Sequence, residues 1–185
     1  MSRTKQRKKA KNLPYQEVGP RLLAAVGERL KAGEADVGLR SLTQEVGTST
    51  NAVYSLYGSK DILCVMGARQ AFQDEYVPPA KPTVESVTKE LHKMASKWPT
   101  LFRATHPHPT QTDSTEVLRP HVDLVALSAT PLIIDQYTQA VGGNAEEGTQ
   151  WWRHIYSYLA GATLTGEMPT LEETLLVCNV RVKGA

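Results

Sequence analysis

The chain has 185 residues, 41% of them hydrophobic and 22% charged, a globular composition that excludes disordered and fibrous classes. Its net charge of +2 is unevenly spread: residues 1–65 hold eleven Lys/Arg against six Asp/Glu, whereas residues 66–185 hold ten against thirteen. A basic first third joined to a mildly acidic remainder suits one part that meets phosphates and another that does not. Two cysteines, Cys64 and Cys178, lie in apolar runs and read as free thiols, which excludes a disulfide-stapled fold and gives a cytoplasmic expectation. Residues 1–11 are charged with no apolar stretch after them, so a secretory signal is not expected. The apolar run 124–134 contains Pro131 and is too short to span a bilayer, so no membrane partner is expected.

Residues 1–13 read as a basic flexible arm. From Pro14, Val18, Leu22, Leu23, Val26 and Leu30 recur at helical spacing, with Gly33 as the stop. The pattern predicts a short helix over 39–46, a break at Gly47, and a third helix over 50–56 that buries Val53 and Leu56, with Thr48 and Ser49 before it as capping hydroxyls. Ser59 caps a long helix carrying Ile62, Leu63, Met66, Phe72 and Tyr76, which Pro78-Pro79 ends. That break divides the chain into a helix-turn-helix part, 14–77, and a larger helical part, 80–185. In the latter, helices are expected over 83–97, from Pro99 through Phe102, and over 117–129, 132–141, 145–165 and 171–182, with a loop over 106–114. Strand signals are sparse and no period repeats, so the fold class is all-α.

Two short amphipathic helices joined across a glycine, with a helix before them, form a scaffold in which the polar face of the second can enter a major groove. That face offers Thr50, Asn51 and Ser55 as candidates for base edges, Asn being able to pair with adenine in bidentate fashion. Ser49, Tyr54, Tyr57 and Lys60 are candidates for phosphate contacts, which position the protein without specifying sequence. The amides at the start of the helix after Ser59, and six basic residues in the arm, add further means of meeting phosphates.

The stretch 38–63 resembles the DNA-binding domain of the TetR family of bacterial transcriptional regulators. The resemblance rests on Leu42 with Glu45-Val46-Gly47, Ser49, Val53-Tyr54, Tyr57, and Ser59-Lys60-Asp61 with Leu63. Beyond it the chain matches only in helical layout and in Trp151-Trp152 with Tyr158-Leu159-Ala160-Gly161. The chain departs from the family pattern at Gly38 (usually Thr or Ser), Thr43 (usually Ala) and Asn51 (usually Gly). The resemblance implies a three-helix DNA-binding domain followed by a helical ligand-binding and dimerisation domain. It implies a homodimer built chiefly from the last two long helices, double-stranded operator DNA as partner, and a small-molecule effector whose identity is unknown.

Trp98, Phe102, Tyr137, Trp151 and Tyr158 are the candidates for an apolar effector pocket. No cofactor is expected. His106 and His108, with His121 or His154, lack a nearby acidic or cysteine cluster, so no metal site is expected either. No glycine-rich phosphate loop, HExxH or nucleophile elbow occurs, which argues against an enzyme. The alternative reading is a helical ligand-binding or protein-interaction module without sequence-specific DNA recognition.

Overall fold

The computed structural model describes residues 14–106 and 122–182, and within them the chain is all-helical, with no strand. Its helices are α1 (Tyr15–Lys31), α2 (Leu39–Val46), α3 (Thr50–Tyr57), α4 (Lys60–Glu75), α5 (Val84–Lys97), α6 (Pro99–Ala104), α7 (Leu124–Leu127), α8 (Thr130–Ala140), α9 (Ala145–Thr165) and α10 (Leu171–Val182). The arm over 1–13, residues 107–114 of the expected loop, and the first part of the helix expected over 117–129 lie outside the described residues. What is described of that last helix is one turn, α7. The Asp123 carboxylate accepts from the amides of Val125 and Ala126, so the backbone at 122–123 is a cap rather than a helix interior. Among the described residues no helix is long and apolar enough to cross a membrane.

The first half is organised by the crossing of α1 over α4. A Cβ added at Gly27 would lie 2.7 Å from Ala71 Cβ, and one added at Gly67 would lie 2.6 Å from Val26 Cγ1 and 3.1 Å from the Leu23 carbonyl oxygen. Two glycines thus let the backbones approach closely, and Leu22, Val26, Leu63, Ala68 and Phe72 close the surrounding core. Helices α2 and α3 pack beside this pair. In the second half α5 is surrounded by α6, α8, α9 and α10, while α8 and α9 form a hairpin in which Gly148 meets Thr138 backbone to backbone. One apolar core runs through both halves, because α6 and α7 touch α4 and α6 touches α1.

The α1–α4 crossing yields a stability prediction. Overpacking costs about 1–3 kcal/mol, against the ~1 kcal/mol that alanine gains over glycine inside a helix. At Gly67 the obstructing atoms include a valine Cβ and a backbone carbonyl, neither of which can withdraw, so the steric cost wins. Gly67→Ala is expected to lower the urea midpoint at unchanged slope; a midpoint equal to or above that of the parent chain contradicts the crossing described here.

Candidate nucleic-acid interface

Helix α2 ends at Gly47, whose φ of +75° is a conformation that side-chain-bearing residues rarely adopt, and the amide of Thr48 donates back to the Thr43 carbonyl at 2.8 Å. Two residues later the Ser49 hydroxyl accepts from the Ala52 amide at 3.3 Å and starts α3. Arg29 of α1 fixes the angle of α2. Its guanidinium reaches Glu45 Oε2 at 2.8 and 3.2 Å and Ser41 Oγ at 2.8 Å. The departures at Gly38 and Thr43 are accommodated locally. The Ser41 hydroxyl donates to the Gly38 carbonyl at 2.9 Å, and the buried Thr43 hydroxyl donates to the Arg40 carbonyl at 3.1 Å.

Helix α3 is held by one side. Val53 is sealed, Leu56 and Tyr57 are half-buried against the same core, and burying a valine contributes about 1.5–3 kcal/mol. Asn51, Tyr54 and Ser55 occupy the opposite side and are exposed, Tyr54 at 49%. Ser49 is exposed beside them, and Thr50 is half-buried. The structure therefore brings Ser49, Asn51, Tyr54 and Ser55 to one outward surface. Such a face presents amide, hydroxyl and phenol groups at three- and four-residue spacing, a set able to hydrogen-bond base edges and phosphates.

Tyr57 and Lys60 are differently placed. The Tyr57 hydroxyl donates to the Gly19 carbonyl of α1 at 2.9 Å, and burial raises its pKa, so this phenol braces α3 from behind. The Lys60 ammonium donates to Asp36 Oδ1 at 2.6 Å, which raises the lysine pKa and lowers that of the aspartate. Asp36 is almost fully solvent-exposed, and an exposed pair of this kind is worth little, so an incoming phosphate can compete for Lys60. Behind it, the Ser59 hydroxyl accepts from the Ile62 amide at 3.1 Å and caps α4.

Charge on this part is nearly balanced. Residues 14–65 carry five Lys/Arg and six Asp/Glu, and Arg21, Arg29, Lys31 and Lys60 are each within ion-pair distance of a carboxylate. Six further basic residues lie between Arg3 and Lys11, where there is no acidic residue.

Behind the interface, at the junction with the second half, lies a cavity of about 350 Å³. One wall is Leu30 of α1 with Ala35 and Val37 of the α1–α2 segment, and another is Asp61, Cys64 and Val65 of α4. Across from them stand Thr100, Arg103 and Ala104 of α6, with His106 and Leu124, and Tyr156, Ala160 and Leu164 of α9. Burial pushes the Cys64 thiol up to about 11, so at neutral pH it is an uncharged wall group rather than a nucleophile.

None of the five aromatic residues expected from the sequence to line a pocket lines this one. Phe102 is fully buried and packs on Tyr156 at 5.5 Å between ring centroids. Tyr137 is sealed with its hydroxyl 3.0 Å from Thr88 Oγ1, Trp151 is buried in the core, and Tyr158 is half-buried against it. The cavity instead receives another face of α9, on which Tyr156, Ala160 and Leu164 recur every four residues, and Tyr156 is the aromatic of α9 that reaches it. That four-residue stripe was the available sequence signal; Arg103, a lone cation on a short helix, gave none. His154 is exposed, His108 and His121 lie outside the described residues, and no group of three or more potential ligands among the described residues is placed to hold a metal.

Comparison of the chain with protein-family models, curated proteins and solved structures found no match.

Trp98 belongs to a clasp between the two halves. Glu75, at the end of α4, accepts from Lys31 of α1 at 2.9 Å, from Lys97 of α5 at 3.4 Å and from the Trp98 indole N–H at 3.3 Å. The two ammonium groups also lie 5.8 and 4.8 Å from the Trp98 ring centroid. The hydrogen bond from Lys31, reinforced by Lys97 and Trp98, holds the Glu75 carboxyl down at about 2, below the ordinary 4.5. A carboxyl whose pKa is lowered by folding stabilises the fold fully above its unfolded value and loses that contribution as pH falls through the folded one. Glu75→Gln is therefore expected to be less stable than the parent at pH 6 and to lose less stability between pH 4.5 and 2. Parallel acid-denaturation curves for the two chains contradict this role.

Proposed function

We propose that the chain is a TetR-like transcriptional regulator, acting as a repressor, that binds operator DNA as a homodimer and is released by a small-molecule effector. The observation that carries this reading is the two-sidedness of α3. Its apolar rear is sealed at Val53, while Asn51, Tyr54 and Ser55 stand in solvent on a helix preceded by a tight glycine turn. In the proposed complex α3 lies in the major groove, with Asn51 at a base edge and Tyr54 and Ser49 at phosphates. Lys60 exchanges Asp36 for a phosphate on binding. Tyr57, engaged with Gly19, contributes by fixing the angle of α3.

The near-neutral charge of residues 14–65 assigns most of the electrostatic affinity to the cations between Arg3 and Lys11. Homodimerisation through the last long helices is supported by exposed leucines on α10, Leu171 and Leu176. The same neutrality favours the alternative, a helical ligand-binding or interaction module without sequence-specific DNA recognition, and one experiment separates the two.

A salt-dependent mobility-shift assay on the protein's own upstream region is expected to show a preferred site over random duplex. Asn51→Ala should weaken binding to that site by about tenfold to a hundredfold, since a bidentate base contact is worth ~1–3 kcal/mol, whereas Tyr54→Ala, which removes a phosphate contact, should weaken binding to all duplexes alike. Because both side chains are exposed, melting temperatures should stay within a few degrees of the parent. Equal, weak binding to all duplexes, unaffected by either substitution, supports the alternative.

A further inference from the structure

The junction cavity combines an apolar lining with an under-used cation. Leu30, Val37, Val65, Leu124 and the Tyr156 ring supply apolar walls, and about 350 Å³ lies within the size range of small-molecule sites. Arg103 stands among them, half-buried. Its guanidinium donates to the Thr163 carbonyl at 3.0 Å and to Thr100 Oγ1 at 3.2 Å, which uses two of its five N–H groups. Among the described residues no carboxylate lies within ion-pair distance of it. A cation in an apolar wall is costly unless paired, and a planar carboxylate is the group that its remaining donors fit best, through two parallel hydrogen bonds.

We propose that this cavity binds a largely apolar small molecule bearing a carboxylate, with Arg103 as its charge partner and the walls of α1, α4 and α9 enclosing its apolar body. The site sits at the seam between the halves rather than within the larger one. Ala35 and Val37, which line it, flank Asp36, the residue that holds Lys60. An occupant thus presses on the segment that carries the partner of a proposed phosphate contact. As an effector site it rests on the regulator reading above. As a binding site it does not, and the test is read without DNA.

The full chain is titrated with decanoate and, separately, with decanol, both below their aggregation limits. Calorimetry gives the stoichiometry, and tryptophan emission reports the site through Trp152, whose ring lies 4.7 Å from that of Tyr156. The expected result is one saturable decanoate per chain, bound at least tenfold more tightly than decanol. Arg103→Met should bring decanoate down to the level of decanol. Arg103→Lys, which keeps the charge but not the fork, should recover part of the difference. Ala160→Trp, which fills the cavity from α9, should abolish binding of both, with thermal melts showing that each variant is folded. Absence of saturable decanoate binding overturns the proposal, as does an affinity indifferent to Arg103→Met or to Ala160→Trp. Loss of the regulator reading, by contrast, is seen only in the DNA assay and leaves these titrations unchanged.

Discussion

The close approach of α1 and α4 is the constraint on which the other features depend. Where Gly27 meets Ala71 and Gly67 meets Val26, the glycines contribute no side chain to the gap between the helices, so their shared core fixes them as one body. Helix α3 then has a single place to put Val53, and Tyr57 reaches back across the gap to Gly19. Arg29 does the same for α2 through Glu45 and Ser41. The outward orientation of Asn51, Tyr54 and Ser55 follows from these attachments, because on an eight-residue helix the exposed side is whatever the anchored side leaves over.

The same helices form the near wall of the junction cavity. Leu30 closes the end of α1, Cys64 and Val65 belong to the first turns of α4, and the segment between α1 and α2 completes that side. Two polar contacts border the region. Asp36 with Lys60 is exposed and readily exchanged, whereas Glu75 with Lys31, Lys97 and Trp98 is better shielded and holds the halves together. This difference makes the first pair suited to change on binding and the second suited to stay fixed, since shielded pairs are less easily screened and replaced. A ligand can alter the outward face only if its affinity differs between arrangements of these contacts, and the α1–α2 segment is the element both regions share.

Much of the helical layout was legible in the sequence because local chemistry marks its ends. Gly47, Ser49, Ser59, Thr83 and Gly166 each stand where the sequence pattern places a helix boundary, and helix 39–46 agrees at both ends. The expected helix over 117–129 is shortened in its described part to 124–127, because a cap at Asp123 looks, in an apolar run, like any other polar position. The outward face of α3 was legible for the same reason as the helix ends: Val53 marks one side, and the polar residues fall opposite it. Long-range partners were not. The Lys31–Glu75 and Tyr57–Gly19 contacts join residues 44 and 38 positions apart, and nothing in local spacing links them. Tyr57 and Lys60 read equally well as outward groups until their partners are known. The aromatic that lines the junction cavity was not legible for a related reason, since α9 is buried along much of its girth and periodicity alone does not say which side faces a cavity.

The claim that α3 reads DNA through its outward face is tested most directly by selecting bound duplexes from a random library with the full chain and with Asn51→Ala. The account predicts an enriched inverted repeat whose half-sites lie about 34–36 Å apart or a multiple of that, as a two-fold dimer requires. It also predicts that Asn51→Ala relaxes base preference at one matching position in each half-site while leaving the rest. Recovery of no shared sequence, or of the same sequence with undiminished preference from both proteins, contradicts it.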